Sequence, residues 1–169
     1  MTELTVTSEI HENNQISILQ LVINFFKQNN WTFSQHETEP ILRTTYQGES
    51  AELSCVVRTR ENPSQFIFYS LCPVNIPEKK RFVIAEFLTR VNYDLTVGNF
   101  EMDFQDGEVR YKTFGINVES HPLSSQLIAQ LIFVNLMTMD RYLPGLMSVI
   151  YANIPVQEAI RQIEQQANL

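Results

Sequence analysis

The chain has 169 residues, 44% hydrophobic and 11% aromatic, which suits one domain with a packed core and excludes a disordered chain. A formal net charge of −7 argues against nucleic acid as a partner, because phosphate neutralisation needs a basic surface. The one basic run, Lys79-Lys80-Arg81, is short and adjoins Glu78.

Residues 1–14 read as a polar leader on a single domain spanning 1–169. They lack the basic and apolar regions of an export signal, so a cytoplasmic location is expected. Residues 16–30 read as a helix with Ile18, Leu21, Val22, Phe25 and Phe26 on one face, broken by the paired Asn29-Asn30. A three- or four-strand meander follows. Residues 41–47 are rich in β-branched side chains, and Gly48-Glu49-Ser50 is a turn. Residues 51–60 alternate, with Ala51, Leu53, Cys55 and Val57 on one face and Glu52, Ser54, Arg58 and Arg60 on the other. Pro63 marks the next turn. Residues 65–72 are apolar on both faces, Phe66 and Phe68 against Ile67, Tyr69 and Leu71, and such a strand wants cover on both sides. Cys55 and Cys72 form no CxxC and are expected as free thiols buried on neighbouring strands.

Pro77 suits the first position of a helix whose apolar stripe is Ile84, Phe87, Leu88, Val91 and Leu95, with Glu86 and Arg90 as an i,i+4 pair. Lys79, Lys80 and Arg81 in its opening turns oppose the helix dipole, with no gain visible in the sequence. Asp106-Gly107 is a two-residue hairpin signal. A two-residue loop there pairs Phe104 with Val109 and Met102 with Tyr111 on an apolar face. It pairs Asp103 with Arg110 and Glu101 with Lys112 on the other. The acids of this stretch, Glu101, Asp103, Asp106 and Glu108, thus read as cross-strand partners, not as a calcium loop, whose Asp-x-Asp-x-Asp-Gly spacing is absent. After Pro122 a long helix is expected to about residue 142. Its apolar stretch 127–139 is interrupted by Gln130 and Asn135 and falls short of the about 20 residues a bilayer needs, so no membrane partner is expected. Pro144-Gly145 is expected to kink or break that helix. A last helix opens at Asn153-Ile154-Pro155, with Val156, Ala159, Ile160 and Ile163 on one face. The order gives an α+β fold, an antiparallel sheet with helices packed on one face.

Local chemical motifs fail at defining positions. His36-Glu37 begins a zinc-protease helix, but Pro40 occupies the place of the second His. Gly48-Glu49-Ser50-Ala51 begins a nucleophile elbow, but Glu52 stands where Gly is required. The five glycines, at 48, 98, 107, 115 and 145, are too dispersed for a phosphate-binding loop. No catalytic, cofactor-binding or metal-ligating residue is assigned, and no cofactor is expected.

The stretch from Ile76 to Thr113 resembles the YbjN family, whose pattern falls here on Arg90, Asn92, Gly98, Phe100, Glu101, Asp103, Asp106, Gly107, Arg110 and Tyr111. Uncharacterised cyanobacterial relatives look similar. The resemblance covers roughly residues 76–159 and implies a type III secretion chaperone-like fold, α-β-β-β-α-β-β-α, often dimeric and without established enzymatic activity. The family is described provisionally as a sensory transduction regulator. The motif residues read as structural, so no catalytic site comes with them. The expected function is a non-enzymatic protein-interaction module, chaperone-like or regulatory. The alternative is a small-molecule sensor or enzyme with a pocket between sheet and helices. The C-terminal apolar supply either folds back over the second face of residues 65–72 or meets another chain there. In the latter case a homodimer is expected, with Tyr142, Leu146, Met147, Ile150 and Tyr151 at its interface, beside an unknown protein partner.

Overall fold

The computed structural model describes residues 16–61, 63–117 and 123–166. Helix α1, Ile18–Gln28, starts where the Ser17 hydroxyl accepts the Gln20 N–H at 3.2 Å, and it buries Ile18, Val22, Phe25 and Phe26. It stops at Asn30, which takes the left-handed conformation (φ +56°) that Asn tolerates. Four antiparallel strands follow: β1 (Phe33–Gln35), β2 (Ile41–Gln47), β3 (Glu52–Glu61) and β4 (Ser64–Leu71). The fourth member of the meander is β1, three residues long and too short for alternation to reveal.

A 3₁₀ turn, Glu78–Lys80, leads into α2, Arg81–Asp94, so the helix proper begins four residues after Pro77. That placement gives the basic run its purpose. The Lys80 ammonium donates to the Val149 carbonyl at 3.2 Å and to the Asn153 side chain, at the negative C-terminal end of a later helix. The Arg81 guanidinium donates to the carbonyls of Phe104 (2.8 Å) and Gln105 (3.3 Å), holding the hairpin turn.

Strands β5 (Asn99–Met102) and β6 (Val109–Ile116) complete a six-stranded sheet of order β1-β2-β3-β4-β6-β5. Their register differs from the two-residue-loop expectation by two places: Met102 faces Val109, Phe100 faces Tyr111, and Glu101 faces Arg110. The cause is side-chain competition in the turn. The Asp103 carboxylate accepts the Gln105 N–H at 2.7 Å and the Asp106 carboxylate accepts the Glu108 N–H at 2.8 Å. Gly107 (φ +83°) lies so close to Ile76 that an added Cβ would stand 2.2 Å from its carbonyl oxygen. Because the shift is even, the side chains that remain in the two strands keep their expected faces. Phe104 moves from the apolar face into the exposed turn.

Of the kink or break expected at Pro144, the break does not occur: helix α3, Ser125–Tyr151, continues through it. Proline removes the N–H that would bond the Asp140 carbonyl. That carbonyl accepts the Ser50 hydroxyl instead, at 2.9 Å. The Asp140 carboxylate meanwhile takes the backbone N–H groups of Glu49 and Ser50, each at 2.9 Å. The β2–β3 turn thus repairs the helix at its weakest point. Gly145 admits α4, Val156–Gln166, since an added Cβ would stand 2.2 Å from Ile163. Val156, Ala159 and Ile163 are buried, as the last apolar stripe requires.

One apolar cluster joins the four helices to one face of the sheet, through Leu42, Leu53, Val57, Phe66, Phe68 and Tyr111 among others. Asn135 lies at its centre, fully buried on α3. Its carbonyl accepts the Ser70 hydroxyl at 2.6 Å, and its amide donates to the carbonyls of Phe68 (3.1 Å) and Tyr111 (3.0 Å). Next to it the Thr113 hydroxyl donates to the Leu131 carbonyl at 3.0 Å. Asn135→Ala strips partners from a buried hydroxyl and two carbonyls, and an orphaned buried polar group costs about 1–3 kcal/mol. Urea unfolding is expected to show a loss of roughly 2–4 kcal/mol, with no recovery in Asn135→Leu.

Candidate functional site

Residues 53, 55 and 57 of β3, 66, 68 and 70 of β4, and 109, 111 and 113 of β6 point to the helices and are buried. The alternate residues form the opposite face, and no helix among the described residues covers it. At its centre lie Val56, Ile67, Tyr69 and Leu71, half-buried by their neighbours, with Phe114 and Ile116 still 54% and 49% exposed. The C-terminal segment that was a candidate cover for β4 folds back, but onto the helical side. Tyr69 receives only the Arg110 guanidinium, 4.5 Å above its ring.

The acid-rich hairpin borders this face. Glu101 binds Arg110 at 2.9 Å and also Lys112, both across or next to it on β6. Partial burial pushes its carboxyl up, but the hydrogen bonds from Lys112 and Arg110 outweigh that and hold it below the ordinary value of 4.5. Asp103 and Asp106 are occupied with turn N–H groups, and Glu108 stands 3.8 Å from Arg110. Among the described residues, no three His, Cys, Asp or Glu side chains converge as metal ligands.

Several of the family-pattern residues tie the scaffold together. The Asn92 side chain accepts the Phe100 N–H at 2.8 Å and donates to the Phe100 carbonyl at 3.0 Å, tying α2 to β5. Gly98 (φ +79°) passes against the Lys112 carbonyl, and the Tyr111 hydroxyl donates to the Val97 carbonyl. Cys55 and Cys72 are free and buried. Burial pushes their thiols up to about 12 and about 11, the second partly offset by a backbone hydrogen bond at Val74. Neither is an activated nucleophile.

Of the expected interface residues, Tyr142, Leu146 and Ile150 are buried inside the chain, Met147 is half-buried, and Tyr151 is 67% exposed. They belong to one helix but not to one surface. Two hollows lie at the margins of the helical layer, one of about 580 Å³ lined by Tyr46, Glu49, Asp140, Arg141 and neighbours, and one of about 440 Å³ between α2 and α4 beside Tyr93 and Arg161. A third, of about 460 Å³, lies on the hairpin and is lined by Glu101, Met102, Asp103, Phe104, Glu108 and Arg110. The sequence places Arg58 and Arg60 on one outward face but does not bring Arg43 beside them. The register aligns β2 with β3 and puts all three on the open face. Their alternation with buried residues was the available signal. A shallow depression of about 400 Å³ beside them is lined by Arg43, Thr45, Ser54, Val56 and Leu71, among others.

Comparison with known proteins gives a consistent picture. The YbjN family, described as "Putative bacterial sensory transduction regulator", matches residues 19–147. A solved structure titled "Crystal structure of YbjN, a putative transcription regulator from E. coli" is similar at a TM-score of 0.55 and 10% identity, covering 80% of this chain and 90% of that one. At that identity the likeness concerns the fold. No curated protein matches the sequence. No helix of the described residues is long and apolar enough to cross a membrane.

The Glu101 cluster predicts a pH signature. A carboxyl held below its unfolded value stabilises the fold above that value, and the contribution fades as pH falls through the folded value. Glu101→Gln is therefore expected to be less stable than the wild type at pH 7. The difference should shrink progressively below about pH 4.5. Urea titrations at several pH values measure this, and a gap that widens on acidification contradicts the assignment.

Proposed function

The chain belongs to the YbjN family, and from that premise we propose that it is a non-enzymatic protein-interaction module, chaperone-like or regulatory, working in the cytoplasm. The observation that carries the reading is the uncovered sheet face. An antiparallel sheet tolerates one wet face when that face is polar. Here its centre is the half-buried Val56, Ile67, Tyr69 and Leu71 with the exposed Phe114 and Ile116, and contiguous apolar surface left open to water marks an interaction site. Two buried thiols left unpaired suit a reducing compartment. The small-molecule alternative places its pocket between sheet and helices, and that space is filled by the core around Asn135; the hollows of about 580, 460 and 440 Å³ lie elsewhere, open to solvent.

Affinity purification of the full chain from its native lysate is expected to recover a defined protein in near-stoichiometric amount. Ile67→Asp, on the open face, should abolish that recovery while leaving the melting temperature within a few degrees. Recovery of no protein by the wild type overturns the interaction reading.

A homodimer is a further part of the proposal. Tyr151 and Met147, at the surface end of α3, are the members of the expected set available to a second copy. Light scattering at micromolar concentration is expected to give twice the chain mass of 19.6 kDa, falling to one mass in Tyr151→Asp. A monomeric wild type removes the dimer from the account.

A further inference from the structure

We infer that the open sheet face receives an acidic, apolar-bearing segment of a partner protein, gripped by Arg43, Arg58 and Arg60 beside Val56, Ile67 and Phe114. The inference rests on the interaction reading above and adds the partner's chemistry and its place of docking.

The charge distribution carries it. The whole chain is at −7, yet the outward positions of β2 to β6 hold five cations, Arg43, Arg58, Arg60, Arg110 and Lys112, against two carboxylates, Glu52 and Glu101. Glu101 engages Arg110 and Lys112. The arginines of β2 and β3 have no such relief. Among the described residues none of the three enters an ion pair or side-chain hydrogen bond, and all three are exposed. Arg58 and Arg60 are two apart on one strand. Arg43 faces Val56, which sets it diagonal to Arg58 at about 7–8 Å between backbones. Like charges at this spacing repel, and no interaction within the fold offsets the cost. A carboxylate placed among them does, and the guanidinium is the side chain suited to grip one with two hydrogen bonds.

Apolar neighbours make the site more than a charge patch. Ile67 lies across from Arg58 on β4, and Phe114 lies across from Ile67 on β6. Val56 and Leu71 line the depression beside Arg43. A segment that alternates carboxylates with apolar side chains matches this surface. A second copy does not, because a two-fold contact sets the same net-positive face against itself. An anionic bilayer or nucleic acid is also disfavoured, since the rest of the molecule is more acidic than its total and repels a polyanion at long range.

The test places the photo-crosslinking residue p-benzoylphenylalanine at position 69 of the full chain, and in a separate protein at position 82, an 83% exposed site on α2. Both are irradiated in native lysate, and adducts are mapped by mass spectrometry. The expected result is an adduct at position 69 to a foreign peptide of net negative charge. Its yield should fall at least tenfold in the doubly substituted Arg58→Glu, Arg60→Glu chain and be largely kept in Arg58→Lys. An adduct to a second copy, a peptide without net negative charge, a yield indifferent to charge reversal, or displacement of the adduct by phosphatidylglycerol vesicles each overturns the inference. Adducts at position 82 alone overturn it while sparing the interaction reading. No adduct at either position, together with no protein in the affinity purification, removes both.

Discussion

Asn135 is the point on which the architecture turns. Apolar packing is non-directional and would let a 27-residue helix slide or rotate over a sheet. An amide with one acceptor and two donors, buried among Ser70, Phe68 and Tyr111, accepts only one position. It ties α3 across the β4–β6 seam, where the meander meets the C-terminal hairpin in an otherwise non-local pairing. With α3 so fixed, Asp140 reaches the β2–β3 turn, Ser50 reaches the carbonyl that Pro144 orphans, and Gly145 meets Ile163. The far end of the helix comes to rest on Lys80. Segments distant in sequence converge on one helix held in one register.

The open sheet face follows from the same arrangement. Once all four helices are gathered on one side, the other side of the sheet has nothing of its own to cover it among the described residues. Its apolar centre and its surplus of arginines are both opposite to the composition of the chain, which is acidic and places most of its large apolar side chains inside. Tyr69 is overlaid by the Arg110 guanidinium, held in turn by Glu101. A surface so unlike the rest of the molecule is what the proposed interaction role rests on.

Much of the fold could be read from the residues. Alternation in residues 51–60 and helical periodicity in residues 81–94 and 156–163 placed strand and helix faces correctly. What resisted reading were interactions between distant segments. Asp-Gly signalled a hairpin, but the longer turn came from Asp103 and Asp106 binding their neighbours' N–H groups and from Ile76 pressing on Gly107. Pro144 allowed a kink or a break, and the partner that the Asp140 carbonyl finds in Ser50, within an unbroken helix, came from a distant segment. Asn135 was visible as an interruption in an apolar run, which served to argue against a membrane span, while its bonds to two strands were invisible. The open face was invisible for a simpler cause. The sequence showed that β4 was apolar on both sides, but not on which side the C-terminal helices would settle.

The most direct measurement is hydroxyl-radical footprinting of the intact chain, read residue by residue along β4 and β6. The account predicts strong labelling of Phe114, Ile116 and Tyr69 and protection of Phe66, Phe68 and Tyr111, in strict alternation. Equal protection of both sets in the isolated monomer, or labelling of the second set in place of the first, would contradict it.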